Sequence, residues 1–411
     1  MSWFKNLFKA DGVKQLNPSY IQSVLMRASP TWSAFDYLAF VKEGYERNAT
    51  VFACIDAKQT ASHGLPIILK DANGEPVANH PVLTWLAQPN AYQTLEQLIS
   101  EAVANFDLAG EADFVKIGMG NKIELISLRP DWLTIESYDQ MTGAPYRYRY
   151  SPSEQGNVSS MVYLRDELVV WTRFNPLDRW RGLSPLQACA FAIDTLNSYA
   201  ASNKATLDNG VTPSGVLSTE QTLDEDNFGR LKTQFAERYA GAANTGKPML
   251  LEGGLSWQQT GLSPREMEYI QGKRASELDV CKTLRVPPQM IGIDGSQTFA
   301  NYEQARASFY EDTIIPTVDS LLARISISIA ADFKLDRGMR LCVDVDAVAA
   351  LEPRRAERMK VLDALQSITI NEKREQMGWG ETLGGDVVLI DGAKIPLDMA
   401  GVEPVTSTGN Y

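Results

Sequence analysis

The sequence predicts an α+β chain built for assembly and not for self-sufficient catalysis. Three observations predict it. Two segments that each open on Ser-Pro, at Ser184 and Ser263, read as long helices bracketing a small α/β insert. Between Asn48 and Trp171, helical and alternating apolar patterns follow one another, as mixed structure requires. No motif along the chain supplies a complete catalytic set. With 411 residues, 44% hydrophobic and 22% charged, it can bury substantial cores in two or three domains.

Residues 1–44 are mildly basic, hold Pro18 and Pro30, and read as a loosely structured, partly disordered arm with short helical pieces. Lys5 and Lys9 interrupt its first apolar run before a signal-peptide core can form, so a docking tail is expected; a weak peripheral membrane contact by Trp3, Phe4, Leu7 and Phe8 is the lesser reading. No apolar run approaches the roughly 20 residues that span a bilayer, so no membrane partner is expected.

The folded part is predicted to begin near Tyr45. Val51, Ile55 and Ala57 to Ala61 recur at helical spacing between Asn48, a natural N-cap, and Gly64, a stop. A strand over Pro66 to Lys70, a turn at Asp71 to Gly74 and a short helix from His80 to Leu86 follow. Thr94-Leu-Glu-Gln97 is a capping box opening a helix to Leu108. Alternation from Ala112 to Glu136 around Gly118-Met-Gly-Asn121 predicts a hairpin, with strands near Phe114–Ile117 and Ile123–Leu128. Tyr146–Tyr150 and Leu168–Trp171 are further strands.

Ser184-Pro-Leu-Gln187 opens an unbroken helix predicted from Pro185 to about Asp208, a rod roughly 36 Å long at 1.5 Å per residue. It is rich in alanine and carries only Asp194, Lys204 and Asp208 as charges, so most of its circumference should face protein. The insert is read as strand Ser214–Leu217, helix Leu223–Tyr239 and strand Pro248–Glu252. The second rod, Ser263 to Arg285, holds nine charges of both signs, so part of it must see solvent. It should end at Val286-Pro-Pro288, where each proline excludes helix from its predecessor. A third long helix is predicted from Asn301, with Gln304 as its capping partner, an apolar stripe of Val318, Leu321, Leu322, Ile325 and Ile329, and a kink at the interior Pro316. A strand over Arg340–Val345 and helices over Pro353–Gln366 and Ile370–Met377 complete the order; beyond Pro396 the tail reads as disordered.

Charge and motifs then narrow the function. A net charge of −12 excludes tight duplex binding, which needs many cations to displace counterions, so contact with DNA would be weak or sliding. The four cysteines lie far apart in sequence, form no CxxC pair and have apolar neighbours, as in a reduced interior. Gly241 to Lys247 falls one residue short of a phosphate-binding loop, since Pro248 offers neither the Ser/Thr hydroxyl nor an N–H. Gly118-Met-Gly120 lacks a third glycine and leads into a strand, so a hairpin turn explains it. His63 and His80 each sit beside a turn residue and read as structural. Asp344 and Asp346 read as a solvated strand face before they read as a cation site. Tyr146-Arg-Tyr-Arg-Tyr150 could stack on bases, but a half-buried strand with outward arginines is the better reading. Arg173, Arg179 and Arg181, near Trp180, could contact phosphate or acids on a neighbouring subunit. No cofactor and no metal are expected.

The order of these elements resembles that of bacteriophage portal proteins of long-tailed double-stranded DNA phages, over about Tyr45 to Gly385. The resemblance rests on Asn48-x-x-Val51-x-Ala-Cys-Ile55 with Leu65-Pro66, His80-Pro-Val with Gln88-Pro-Asn90, Gly182-Leu-Ser-Pro-Leu186, Asn209-Gly-Val-Thr-Pro213-Ser-Gly215, Asn244-x-Gly-Lys247, Val286-Pro-Pro288-x-x-Ile-Gly292 and Ile370-Asn-Glu372, taken in order. It implies a ring, usually of twelve subunits, at one capsid vertex of the virion, assembled in the host cytoplasm, through which double-stranded DNA is packaged and ejected. Its partners would be the terminase large subunit, major capsid and scaffold proteins, and head-completion adaptor proteins. By position, the family's wing would span 45–183 with 301–346, its stem helices 184–210 and 263–287, its clip 211–262, its tunnel loop 288–300 and its crown 347–395. Ser296, Gln297, Thr298 and Phe299 would then face the channel, and Lys273, Arg274 and Glu277 are the stem candidates for doing so. That loop has no basic residue, so its contact with DNA would be steric and polar. The alternatives are a nucleotide hydrolase built on Gly241–Lys247 and a ring scaffold that never handles DNA.

Overall fold

The computed structural model describes residues 37–152, 159–208, 215–218, 229–230, 233, 256–259, 265–293, 299–365, 367–390 and 395–396. Asn48 caps the first long helix, α1 (Ala49–Ser62), by accepting from the amides of Thr50 and Val51, which the helix leaves without partners. The order starts earlier than Tyr45. Tyr37–Ala39 is helical, Phe40–Tyr45 is a π turn, and Tyr37, Phe40 and Val41 pack on the main core.

Strand β1 (Ile67–Lys70) pairs antiparallel with β10 (Arg340–Val343), joining the two ends of the folded region. Helix α2 (Pro81–Leu86) is capped by His80, whose Nδ1 accepts from the Val82 amide. Helix α3 (Leu95–Leu108) has the full capping box of Thr94 and Gln97. It leads into β2 (Glu111–Ile117), the middle strand of a sheet ordered β3 (Glu124–Leu128), β2, β7 (Leu168–Thr172). Gly110 turns this corner at φ +81, and a Cβ on Gly182 would lie 1.9 Å from the Gly110 carbonyl oxygen; only glycine at both lets the chain before the first rod cross the start of the sheet.

A second sheet, β4 (Leu133–Tyr138), β5 (Pro145–Tyr150) and β6 (Met161–Leu164), holds two strands absent from the sequence reading. It has its own small core of Leu133, Tyr148, Val115, Leu128 and Leu168.

The first rod is interrupted. Short α4 (Pro185–Ala188) is separated from α5 (Ala190–Asp208) by Cys189, whose backbone leaves helical values at φ −109, ψ 17. The Cys189 thiol donates to the Pro185 carbonyl and occupies the acceptor that a continuing helix would use. Of the insert, β8 (Gly215–Ser218) pairs with β9 (Ser256–Gln259), which starts four residues beyond the end of the expected second strand; most of the Leu223–Tyr239 helix and all of Pro248–Glu252 lie outside the described residues.

The second rod is α6 (Arg265–Leu284). One continuous helix then runs from Phe299 to Phe333: α7 (Phe299–Phe309), a π turn (Tyr310–Ile314) and α8 (Ile315–Phe333). This helix is long and apolar enough to cross a membrane, contrary to the sequence expectation. Its apolar stripe is committed elsewhere: Val318, Leu321, Leu322, Ile325 and Ile329 are all in the main core against α1, α3 and the first sheet. Its polar side chains finish β10, with Ser326 Oγ accepting from Leu341 N and Asp319 Oδ1 from Val343 N. Helices α9 (Glu352–Ala364) and α10 (Ile370–Gln376) and the strand pair β11 (Leu389–Ile390) and β12 (Ile395–Pro396) close the described fold, with Thr369 and Glu372 forming the predicted capping box.

Candidate functional site

The two rods touch where their sequences permit it. Gly272 of α6 lies against the Tyr199 ring of α5, and a Cβ there would come within 2.6 Å of the Tyr199 hydroxyl. One turn earlier, Tyr269 sets its ring edge-on to Tyr199 at 4.5 Å between centroids and donates its hydroxyl to the Tyr199 carbonyl at 2.7 Å. The remaining surface of α6 at this level is polar and exposed. Lys273 and Glu277 meet as an i, i+4 pair at 3.6 Å, with Lys273 exposed and Glu277 half-buried, and Arg274 is exposed beside them. An exposed pair in this order, with lysine first, contributes only a few tenths of a kcal/mol, about 0.2–0.5. It keeps both signs on the rod without fixing them.

The rod ends through its own backbone and not through the prolines. Arg285 takes the left-handed conformation at φ 57, its amide donates to the Lys282 carbonyl, and Val286 N donates to the Cys281 carbonyl, while Val286 and Cys281 are both buried. This pair of bonds with its apolar contact is a Schellman closure, here on an arginine. The freed Arg285 carbonyl accepts from Thr313 Oγ1 at 3.0 Å, so the π turn of the third helix holds the end of the second rod. Pro288–Ile291 follows as a 3-10 turn, Gly292 reverses at φ 76, and Met290, Ile291 and Ile293 pack on the core.

Cys281 also meets Cys54 of α1 across 227 residues of sequence. The Cys54 thiol donates to Cys281 Sγ at 4.0 Å, and that bond together with burial pushes its pKa well up. The sequence reading kept the four cysteines apart; the fold sets these two side by side, both free.

Ser296, Gln297 and Thr298 lie outside the described residues. Phe299 is described and is not a loop residue: it opens α7, two residues before the predicted start at Asn301, with 76% of its surface exposed. From Ala307 onward the helix is anchored in the core. Pro316 falls two residues after the π turn. It has no N–H for the Asp312 carbonyl, and the helix widens into the π turn at Tyr310–Ile314 just before it. Thr317 Oγ1 then donates to the Thr313 carbonyl at 2.6 Å. From the other side, Arg354 of α9 bonds Glu311 in the π turn and donates to Ser308 Oγ at 3.2 Å.

The arginines of residues 173–181 divide. Arg173 pairs with Asp107 at 3.0 Å and Arg181 with Glu111 at 2.6 Å, both within the chain, and Arg181 also donates to the carbonyls of Leu133 and Pro130. Asp107 is fully buried, and buried Lys58 of α1 donates to the same Oδ1 at 2.9 Å. Asp113, two residues along β2 from Glu111, is buried with no hydrogen-bond donor on either oxygen among the described residues; burial, then the Glu111 charge, push its pKa well above the usual carboxylate range. Of the aromatic-basic strand, Tyr148 is core and Arg149 pairs with Glu136. Asp344 caps a 3-10 turn by accepting from Asp346 N. His63 faces Glu96 at the surface. Among the described residues, no group of three or more His, Cys, Asp or Glu is placed to hold a metal ion. Gly241–Lys247 lies outside the described residues.

A family model described as phage portal protein matches residues 49–378. An uncharacterized protein of Rickettsia felis is 31% identical over 356 residues, covering 84% of this chain and 90% of that one. The portal protein of Enterobacteria phage HK97 is 24% identical over 376 residues, 86% of this chain and 84% of that one. Among solved structures, a chain in the neck of an empty gene transfer agent particle, computed with C6 symmetry, aligns at TM-score 0.67 and 30% identity over 88% of this chain and 99% of that one. A chain in the neck of the native particle, computed with C12 symmetry, aligns at 0.65 and 28% with the same coverage.

Proposed function

The chain belongs to the phage portal protein family, and on that premise we propose that twelve copies close into a ring whose channel passes double-stranded DNA during packaging and ejection. A portal protein stands at one vertex of the capsid, where head and neck meet, and this is the chain's place in its particle. The observation that carries the ring is the likeness, at nearly a third of residues identical, to chains in particle necks of six-fold and twelve-fold symmetry.

The division of labour is carried over from the family by position. Rods α5 and α6 form the stem, meeting at Tyr199 and Gly272 and leaving the charged side of α6, with Lys273, Arg274 and Glu277, for the channel or the next subunit. The insert between them is the clip that meets the terminase large subunit and later the head-completion adaptors. The fixed exit Pro287–Ile293 and the exposed Phe299 bound the tunnel loop, centred on Ser296, Gln297 and Thr298. The helix through Pro316 is anchored in the wing and carries that loop at its free end. The chain itself catalyses nothing; a partner ATPase supplies the packaging energy. The acidic total suits a conduit, because a strongly basic wall would retain phosphates.

Native mass spectrometry or electron microscopy of the purified chain is expected to give closed rings, and a strictly monomeric protein under all assembly conditions overturns the reading. Deleting Gly295–Phe299 should leave the rings intact and block DNA packaging. Normal packaging by that variant removes the tunnel-loop assignment.

A further inference from the structure

Three arginines that form no ion pair among the described residues converge on one cleft. It has a volume of about 540 Å³ and lies between the free edge of β7, the middle of α8 and the loop before the first rod. Arg165, Arg179 and Arg324 line it with Trp180, Tyr148 and Ser320, and no aspartate or glutamate does. None of the three arginines forms an ion pair among the described residues. Arg165 and Arg179 are exposed and stack on the Trp180 ring, at 6.0 and 5.0 Å from its centroid. Arg324 reaches across and gives two hydrogen bonds to the Val170 carbonyl, at 3.1 and 2.9 Å, which covers the edge of the sheet and holds its guanidinium at the cleft wall.

Asp166 follows Arg165 in sequence but does not line the cleft, and other nearby acids have partners. Asp178 accepts from the amides of Trp180 and Arg181, Glu167 from the amide of Leu164, and Glu111 pairs with Arg181. In a chain with 51 acidic and 39 basic residues, three arginines gathered without a carboxylate are a binding surface and not an average patch. The planar guanidinium fork presents parallel donors matched to a carboxylate, and stacking on tryptophan pre-orients it. The loop that carries Arg179 also exposes Phe174 and Leu177, at 83% and 92% of their surface. Arginine with tryptophan and phenylalanine is the composition of protein–protein contact sites, and exposed apolar side chains beside it need a protein to cover them.

We propose that this cleft receives a carboxylate-bearing segment of the neighbouring copy, making it a wing-level contact of the ring. The inference rests on the portal reading, which supplies that neighbour, and the chain's acidic excess supplies the carboxylate.

The test is native mass spectrometry of the full chain, wild type against the double variant Arg165→Glu, Arg179→Glu, with thermal melting as a check on folding. The expected result is a melting temperature of the monomer within a few degrees of wild type and a rise of about tenfold or more in the concentration needed for rings, the change that loss of roughly 1.4 kcal/mol per contact produces. Should the double reversal unfold, Arg179→Gln, which removes one exposed charge, is expected to give a smaller rise in the same direction. Rings of unchanged concentration dependence in a folded variant overturn this inference alone. A wild-type chain that never forms rings overturns the portal reading and this inference with it. If millimolar inorganic phosphate raises the melting temperature of wild type but not of the variant while their rings are indistinguishable, the cleft is an oxyanion site and the neighbour is not its ligand.

Discussion

Two helices of nearly equal length, α8 with 19 residues and α6 with 20, are held in opposite ways. Helix α8 buries a full stripe, from Ile315 through Leu322 to Phe333, against its own chain, and spends its polar side chains on β10. Among the described side chains of α6, the buried ones are Val280, Cys281 and Leu284, all in its last turns. Further toward its start it is held by α5 at Tyr199, while Ile270 is 68% exposed and Lys273, Arg274 and Ala275 are exposed with it. The stability of α8 is therefore complete within one subunit. Among its described side chains, α6 is buried at one end and held by α5 at Tyr199, while Ile270 and Lys273 to Ala275 stand exposed to a neighbour or a channel.

The largest test of this contrast is Leu322→Ala. It removes a side chain with no exposure from the α8 stripe and should cost about 3 kcal/mol, within the range of roughly 2–5 for such truncations, measured by urea unfolding of the monomer. The adjoining first sheet should carry a pH dependence. Asp113 binds its proton more tightly folded than unfolded, so its contribution is least costly at acid pH. Stability is lost as pH rises from the unfolded carboxylate value, about 4, through the raised folded one. Asp113→Asn should raise stability at pH 7 by about 1–3 kcal/mol, with the gain shrinking as pH falls; a variant less stable at pH 7 would mean that the carboxylate has a donor after all.

The sequence carried the helix ends and the apolar stripes because both are local. Asn48, Thr94 and Thr369 cap where the spacing placed them, and the stripe from Val318 to Ile329 is buried as its period requires. Strand β6 was invisible for a physical reason: Met161, Val162 and Leu164 are exposed on a small edge sheet, so no inside-outside alternation marks them. The break at Cys189 has no marker in the sequence pattern, and α7 opens at Phe299, two residues before the predicted Asn301. Of the candidate site, the rods and the exit were legible. The pairing of Arg173 and Arg181 was not, because their acids, Asp107 and Glu111, lie more than 60 residues away at positions whose pattern gave no hint of burial. A lysine and an aspartate buried face to face, as in Lys58 and Asp107, run against every hydropathy expectation and are found only in three dimensions.

The joint between the two helices is the next test. Thr313→Val keeps the shape of the side chain and removes the donor to the Arg285 carbonyl, leaving that carbonyl unpaired at the rod's end. A loss of about 1–2 kcal/mol is expected in monomer unfolding, between the effects in the two helices. If Thr313→Val costs nothing, the end of α6 is held by its Schellman closure alone and the third helix does not steady the stem.

The smallest monomer effect should come from the exposed side of α6, and it sharpens the comparison most. Ile270→Ala is expected to change monomer stability by no more than about 0.5 kcal/mol, as substitutions on exposed surface do, because most of that side chain is exposed. Rings, in contrast, should form only at higher concentration, since an isoleucine that its own subunit leaves mostly exposed is available for a neighbour to bury. Lys273→Ala, which removes the weak pair with Glu277, should fall within about 0.2–0.5 kcal/mol in the monomer and leave ring formation unaltered if that charge faces the channel. An Ile270→Ala loss as large as that of Leu322→Ala would mean that α6 is held along its whole length within one subunit, and the contrast between the two helices would fail.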